Sequence, residues 1–151
     1  MIDLSTKAAK RFRIKWSDLK PRSCDYWKID VEMFGRVPML LIVHEYTLFT
    51  LVRRKSMFRS PLDISGEILR TCPWYRFKGE PTLGKNNNPK LTGSINEMKR
   101  LIWGMYSPEQ INAVEMSINQ TPFSYLSHGK ESYGTPFEAV ESYATGQMPW
   151  L

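Results

Sequence analysis

The chain has 151 residues, a formal net charge of +6, and 42% hydrophobic and 13% aromatic residues, so it can bury roughly 70% of its unfolded surface in one core and lacks the signature of disorder. No apolar run approaches the roughly 18 residues of a membrane helix, the stretch Met1 to Arg13 lacks the apolar core of a secretory signal, and Cys24 and Cys72 form no zinc spacing. These features predict a single domain over residues 1–151 in a reducing cytoplasmic setting, with no membrane contact.

Thr6 to Leu19 reads as a short basic helix with Ala8, Ala9, Phe12 and Trp16 inward, ended by Ser17-Asp18 and Lys20-Pro21, because the residue before proline is pushed from helical angles. Tyr26 to Phe34 alternates, with Trp27, Ile29, Val31 and Met33 opposite Tyr26, Lys28, Asp30 and Glu32, as a half-buried strand does. Gly35-Arg36 makes a turn into the apolar run Val37 to Val43, a central strand with Pro38 near its start. Tyr46 to Val52 fits a third strand or a helical turn. Pro61 to Arg70 forms a short helix with Leu62, Ile64, Ile68 and Leu69 inward, and Cys72 to Gly84 is irregular.

Ser94 with Glu97 three residues on is a capping box opening a helix from Ile95 to Met105. Ser107-Pro108-Glu109 is a further start, with Ile111, Val114, Met116 and Ile118 apolar, and Phe137 to Tyr143 is the last helix. The fold class expected is α+β: a small antiparallel sheet from the N-terminal half packed by helices from the C-terminal half.

The run Lys85 to Arg100 joins a polar loop to that helix start. Free backbone donors there suit an anion, making Lys85, Asn86, Asn87, Asn88, Ser94 and Asn96 candidate anion or ligand contacts. The glycine spacing and Gly-Lys-Ser/Thr ending of a phosphate loop are missing, and a capped helix behind a solvated loop is the ordinary alternative. His44-Glu45 follows the central strand, where a turn histidine with a solvated neighbour competes with a general base. His128 lies in a loop, and neither cysteine has a base or helix N-terminus to activate it. No catalytic residue, metal site or cofactor is assigned.

Charge is divided unevenly. Residues 1–100 hold 20 Lys and Arg against 10 acids, whereas residues 101–151 hold one Lys against five Glu. Two basic clusters carry interleaved rings: Lys7, Lys10, Arg11, Arg13 and Lys15 with Phe12 and Trp16, and Arg53, Arg54, Lys55 and Arg59 with Phe58. Cations neutralise phosphates and rings stack on bases, although such rings also serve as core beneath snorkelling cations. No zinc finger, RNP motif, GXXG loop or basic zipper is present.

Several segments taken in order carry a resemblance: IleLysTrpSerAspLeu at Ile14 to Leu19, Trp27, the run Arg36 to Phe49, and AsnAsnProLysLeuThrGlySerIleAsnGlu at Asn87 to Glu97. Over its first two-thirds the chain resembles a family of small uncharacterised bacterial and mobile-element proteins with an Asn-rich Gly-Ser-Met-Asn-Asp/Glu block. Ile95 stands here for the methionine, and Pro89 interrupts the block. The resemblance implies an α+β domain, draws attention to Asn87, Ser94 and Asn96, and suggests an inhibitor of a host defence complex or an antitoxin-like protein. The function expected is a non-enzymatic binding or regulatory module for an anionic partner, nucleic acid or an acidic protein surface. The competing expectation is a phosphate-handling enzyme, such as a nuclease or nucleotide-modifying protein, using His44 or Glu45.

Overall fold

The apolar run at residues 37–44 becomes strand β3 (Val37–His44), and alternation sends Met39, Leu41 and Val43 into one core and Leu40 and Ile42 into another. A strand covered on both faces has no polar side to keep, which is why its sequence is almost continuously hydrophobic. The computed structural model describes residues 1–20, 26–85, 88–104, 107–126 and 134–146. Asn86, Asn87, Cys24 and the His128 loop lie outside the described residues.

Strand β2 (Trp27–Phe34) turns back through Gly35, at φ 59, to pair antiparallel with β3, and β4 (Thr50–Arg54) lies antiparallel on the other side. Strand β1 (Ile2–Leu4) adds to β2 in parallel, and β5 (Leu83–Lys85) adds to β1, giving the order β4-β3-β2-β1-β5. The α+β class is as expected, but the sheet is mixed, because three-residue strands carry too little alternation to be read.

Helices cover both faces. Helix α1 (Thr6–Arg11) and α2 (Asp63–Thr71) supply Ala8, Ala9, Ile64 and Ile68 to the core around Ile29 and Ile42. Helix α3 (Pro89–Trp103) and α4 (Ile111–Asn119) supply Leu91, Ile95, Met98, Val114 and Ile118 to the opposite core. Helix α5 (Pro136–Ala144), capped by Thr135, follows the Phe123–Gly134 bridge.

Helix α1 ends earlier than its composition predicts. Ile14 N–H donates to Ala9 O at 2.9 Å and Arg13 N–H to Lys10 O at 3.1 Å, with Arg13 left-handed at φ 57. This closes a Schellman motif with arginine where glycine is usual. The third strand also starts later than expected, because residues 44–49 form a tight turn with Leu48 at φ 57 and its side chain fully buried. Burying a leucine contributes about 2 kcal/mol against a left-handed cost of about 1–2 kcal/mol, so the core holds the turn.

Both sheet edges are closed among the described residues. On β4, Thr50 N–H donates to Asn119 Oδ1 at 2.9 Å, Asn119 Nδ2 donates to Thr50 O at 2.9 Å, and Val52 N–H donates to Glu115 Oε1 at 2.8 Å. Helix side chains thus stand in for a neighbouring strand, which removes a template for aggregation. Lys20 bridges Gly84 at the β5 edge. Asn119→Ala leaves a buried N–H and C=O on Thr50 and is expected to cost about 2–4 kcal/mol in urea unfolding; a loss below about 1 kcal/mol would contradict this role of the amide.

Candidate functional site

Alternation places Tyr26, Lys28, Asp30 and Glu32 on one face of β2, and that face lies beneath α3 rather than in solvent. Two residues of strand advance about 6.8 Å and four of helix about 6.0 Å, so a helix parallel to β2 can match each second strand residue. Asn88 Nδ2 donates to Tyr26 Oη at 3.4 Å, Lys99 Nζ meets Asp30 Oδ2 at 3.0 Å, and Trp103 Nε1 donates to Glu32 Oε1 at 3.0 Å. Asp3 stands beside Lys28 across β1–β2, and a Cβ on Gly84 would displace the side chains of Asp3 and Met1. Asp30 Oδ1 accepts from Ser5 Oγ and from Val31 N–H, both at 2.8 Å. Burial, opposed in part by Asp30 and Asp3, pushes the Lys28 ammonium below the usual lysine range.

The capping box at Ser94 is corrected by this geometry. Asn88 is the N-cap, its Oδ1 accepting from Leu91 N–H at 3.2 Å, and Pro89 takes the first helical position. An Asn-Pro start outranks an interior Gly-Ser. Ser94 is therefore buried inside the helix with Oγ directed at Lys90 O, at 3.4 Å, while Asn96 is exposed and Lys85 and Asn88 are half-buried. Ser94 and Asn96 do not join Asn88 in one cradle.

His44 does sit at a turn, but Glu45 beside it is not solvated: the two are 0% and 5% exposed. His44 Nδ1 lies 2.9 Å from Thr47 Oγ1, and the rings of Trp27, Tyr46, Trp74, Tyr75 and Tyr143 surround it at 4.9 to 5.9 Å. Tyr143 brings α5 into this nest. Cys72 is buried, and burial pushes its thiol up to about 11, which suits packing and not nucleophilic attack.

The basic clusters separate. Arg53 spans α2 and α4: Nε meets Glu67 Oε1 at 2.9 Å and Nη1 meets Glu115 Oε1 at 2.5 Å. Burial works against its charge, but these carboxylates outweigh burial and hold the guanidinium above its ordinary value. Arg54 lies 3.9 Å from Glu109. The acidic C-terminal half thus spends part of its charge on β4. Lys7, Lys10, Arg11, Arg13 and Lys15 are exposed, and among the described residues they and Arg59 form no ion pair. Lys55 Nζ sits 4.8 Å from the Phe12 ring centroid, and Arg11 Nη2 reaches Met33 Sδ at 3.2 Å, so Lys55 and the α1 cations share a flank.

Asp3, Lys28 and Lys99 escape sequence reasoning because strand alternation cannot tell a solvent face from one beneath a helix. Among the described residues no cluster of His, Cys, Asp and Glu is arranged for a metal, and no helix is long and apolar enough to cross a membrane. Comparison with known proteins finds no matching family model and no matching curated protein.

Lys99→Met leaves the Asp30 carboxylate buried without its nearest cation and is expected to cost about 3–5 kcal/mol. Adding Asp30→Leu is expected to recover only part of that loss in denaturant unfolding, since it removes the unpaired buried charge but leaves Ser5 Oγ and Val31 N–H without their acceptor. A single variant as stable as the parent would show the pair to be dispensable.

Proposed function

We propose that the chain is a non-enzymatic binding module that holds an anionic macromolecule against the flank formed by α1 and Lys55. The observation that carries this reading is a set of exposed cations, Lys7, Lys10, Arg11, Arg13 and Lys15, that form no ion pair among the described residues, although Lys10 and Arg11 in the last turn suit the helix dipole. Lys7, Lys10 and Arg11 share one side of α1 at i, i+3 and i+4, with no acid in the first turn. Like charges at that spacing cost a few tenths of a kcal/mol, Lys7 opposes the helix dipole, and Arg13 adds about 1 kcal/mol of left-handed strain. These costs fall on a six-residue helix whose cap is a single serine. An anionic partner turns the same cations into a favourable surface, and the mobile-element resemblance is compatible with either nucleic acid or an acidic protein as that partner.

Binding to a DNA duplex, single-stranded RNA and polyglutamate at low salt tests this. The salt slope against nucleic acid is expected to fall by about one for each cation removed. The triple variant Lys7→Glu, Lys10→Glu, Arg11→Glu is expected to lose binding while keeping its circular dichroism. Absence of binding, indifference to salt, or an unaffected triple variant would overturn the reading. Arg13→Gly relieves the left-handed strain, so it is expected to stabilise the fold by up to about 1 kcal/mol while weakening binding. A variant that binds as tightly as the parent would remove Arg13 from the surface.

A further inference from the structure

Helices α1 to α4 are each tied to the body by a polar contact as well as by packing. Ser5 at the cap of α1 donates to Asp30, Glu67 of α2 meets Arg53, Lys99 of α3 meets Asp30, and Asn119 of α4 bonds to Thr50. Even α2 has its Arg53 tie, although it buries only Ile64 and Ile68 and leaves Leu62 and Leu69, expected inward from sequence, 41% and 51% exposed.

Helix α5 is held differently. Of its nine residues only Pro136, in its first turn, is buried. Its polar side chains close on the helix itself: Thr135 Oγ1 donates to Glu138 Oε1 at 3.1 Å, and Thr145 Oγ1 donates to Glu141 O at 3.0 Å. Glu138 and Glu141 form no ion pair among the described residues. Rings do most of the docking. Tyr143 lies 4.9 Å from His44, 5.5 Å from Trp74 and 6.4 Å from both Tyr46 and Tyr75, while Phe137, itself 38% exposed, lies 6.0 Å from Phe49. Ala139 adds a contact to the opposite core. Three of the rings that Tyr143 touches, His44, Trp74 and Tyr75, also surround Trp27, so Tyr143 is the outer layer of the nest. Trp27 Nε1 is buried there with no hydrogen-bond partner among the described residues, and so the closed nest carries a cost of its own.

We infer that α5 is a strap that opens as a unit while the sheet and α1 to α4 stay folded, with Tyr143 as its latch, and that opening admits solvent and small reagents to His44. Segments with few buried apolar contacts open below the free energy of global unfolding. A helix of this length does not persist in water once undocked, so opening also melts it. The start of the strap is fixed by Phe123 N–H, which donates to Gly134 O at 3.0 Å. This device is independent of the anionic-partner reading and of the α1 flank.

Native-state hydrogen exchange across a urea series, with modification of His44 by diethylpyrocarbonate read by mass spectrometry, tests the strap. In the parent protein the amides of Val140 to Ala144, corrected for intrinsic rates, are expected to exchange at least about tenfold faster than those of Leu41 and Ile42. Their rates are expected to depend only weakly on urea, because little surface is exposed. Ile42→Val is expected to speed exchange in β3 and leave α5 unchanged, since its contacts survive in the open state. Tyr143→Ala is expected to speed both α5 exchange and the reaction at His44 about tenfold or more, as several ring pairs are lost together. One common rate and urea dependence for α5 and β3 would overturn the strap, as would Ile42→Val speeding both alike. Unchanged α5 exchange in Tyr143→Ala would remove the latch, and faster exchange with an unchanged reaction at His44 would remove the gate over that ring.

Discussion

The Asp30 carboxylate sits where β1, β2, α1 and α3 meet, and each of its oxygens has a separate task. One accepts from Ser5 Oγ and Val31 N–H, and the other meets the Lys99 ammonium. The same Ser5 hydroxyl accepts from Ala8 N–H and so caps α1. A six-residue helix bearing three cations on one side is too short to persist by itself. Its position follows from a carboxylate that α3 holds from the other side of the sheet. Burying that carboxylate costs several kcal/mol, which the ammonium, hydroxyl and amide together offset. The ion pair therefore orients helices more than it adds net stability.

Arg53 does comparable work at the far edge of the sheet. Its guanidinium joins Glu67 of α2 to Glu115 of α4, and the same Glu115 oxygen accepts from Val52 N–H. Two of the five glutamates of residues 101–151, Glu115 and Glu109, are paired here and at Arg54. The cations of α1, Lys55 and Arg59 are among those that form no ion pair in the described residues, together with Lys20, Arg36, Arg76, Lys78, Lys85, Lys90 and Arg100.

The sequence made the antiparallel core legible. The alternation of residues 26–34 and the apolar run from Val37 mark β2 and β3, Gly35 marks the turn, and Thr135-Pro136 marks the start of α5. Strands β1 and β5 were not legible, because parallel pairing over three residues depends on neighbours distant in the chain. The start of α3 lies at Asn88-Pro89 and not at Gly93-Ser94, because the Asn-Pro pair is the stronger cap although Ser94-x-x-Glu97 also matches a capping box. The end of α1 carries no glycine signal, since Arg13 occupies the left-handed position. The ion row under α3 was hidden for a different reason: Lys28, Asp30 and Glu32 show a polar face, and only the packing of Lys99 and Trp103 reveals what covers it.

Native-state hydrogen exchange in an Asp30→Ala variant tests most directly whether one carboxylate positions α1 as well as α3. The Ala8 and Ala9 amides are expected to lose more protection than those of Leu41 and Ile42 in β3, because the serine cap loses its anchor while the central strand keeps its partners. Loosening confined to α3, with α1 as protected as in the parent protein, would contradict the account.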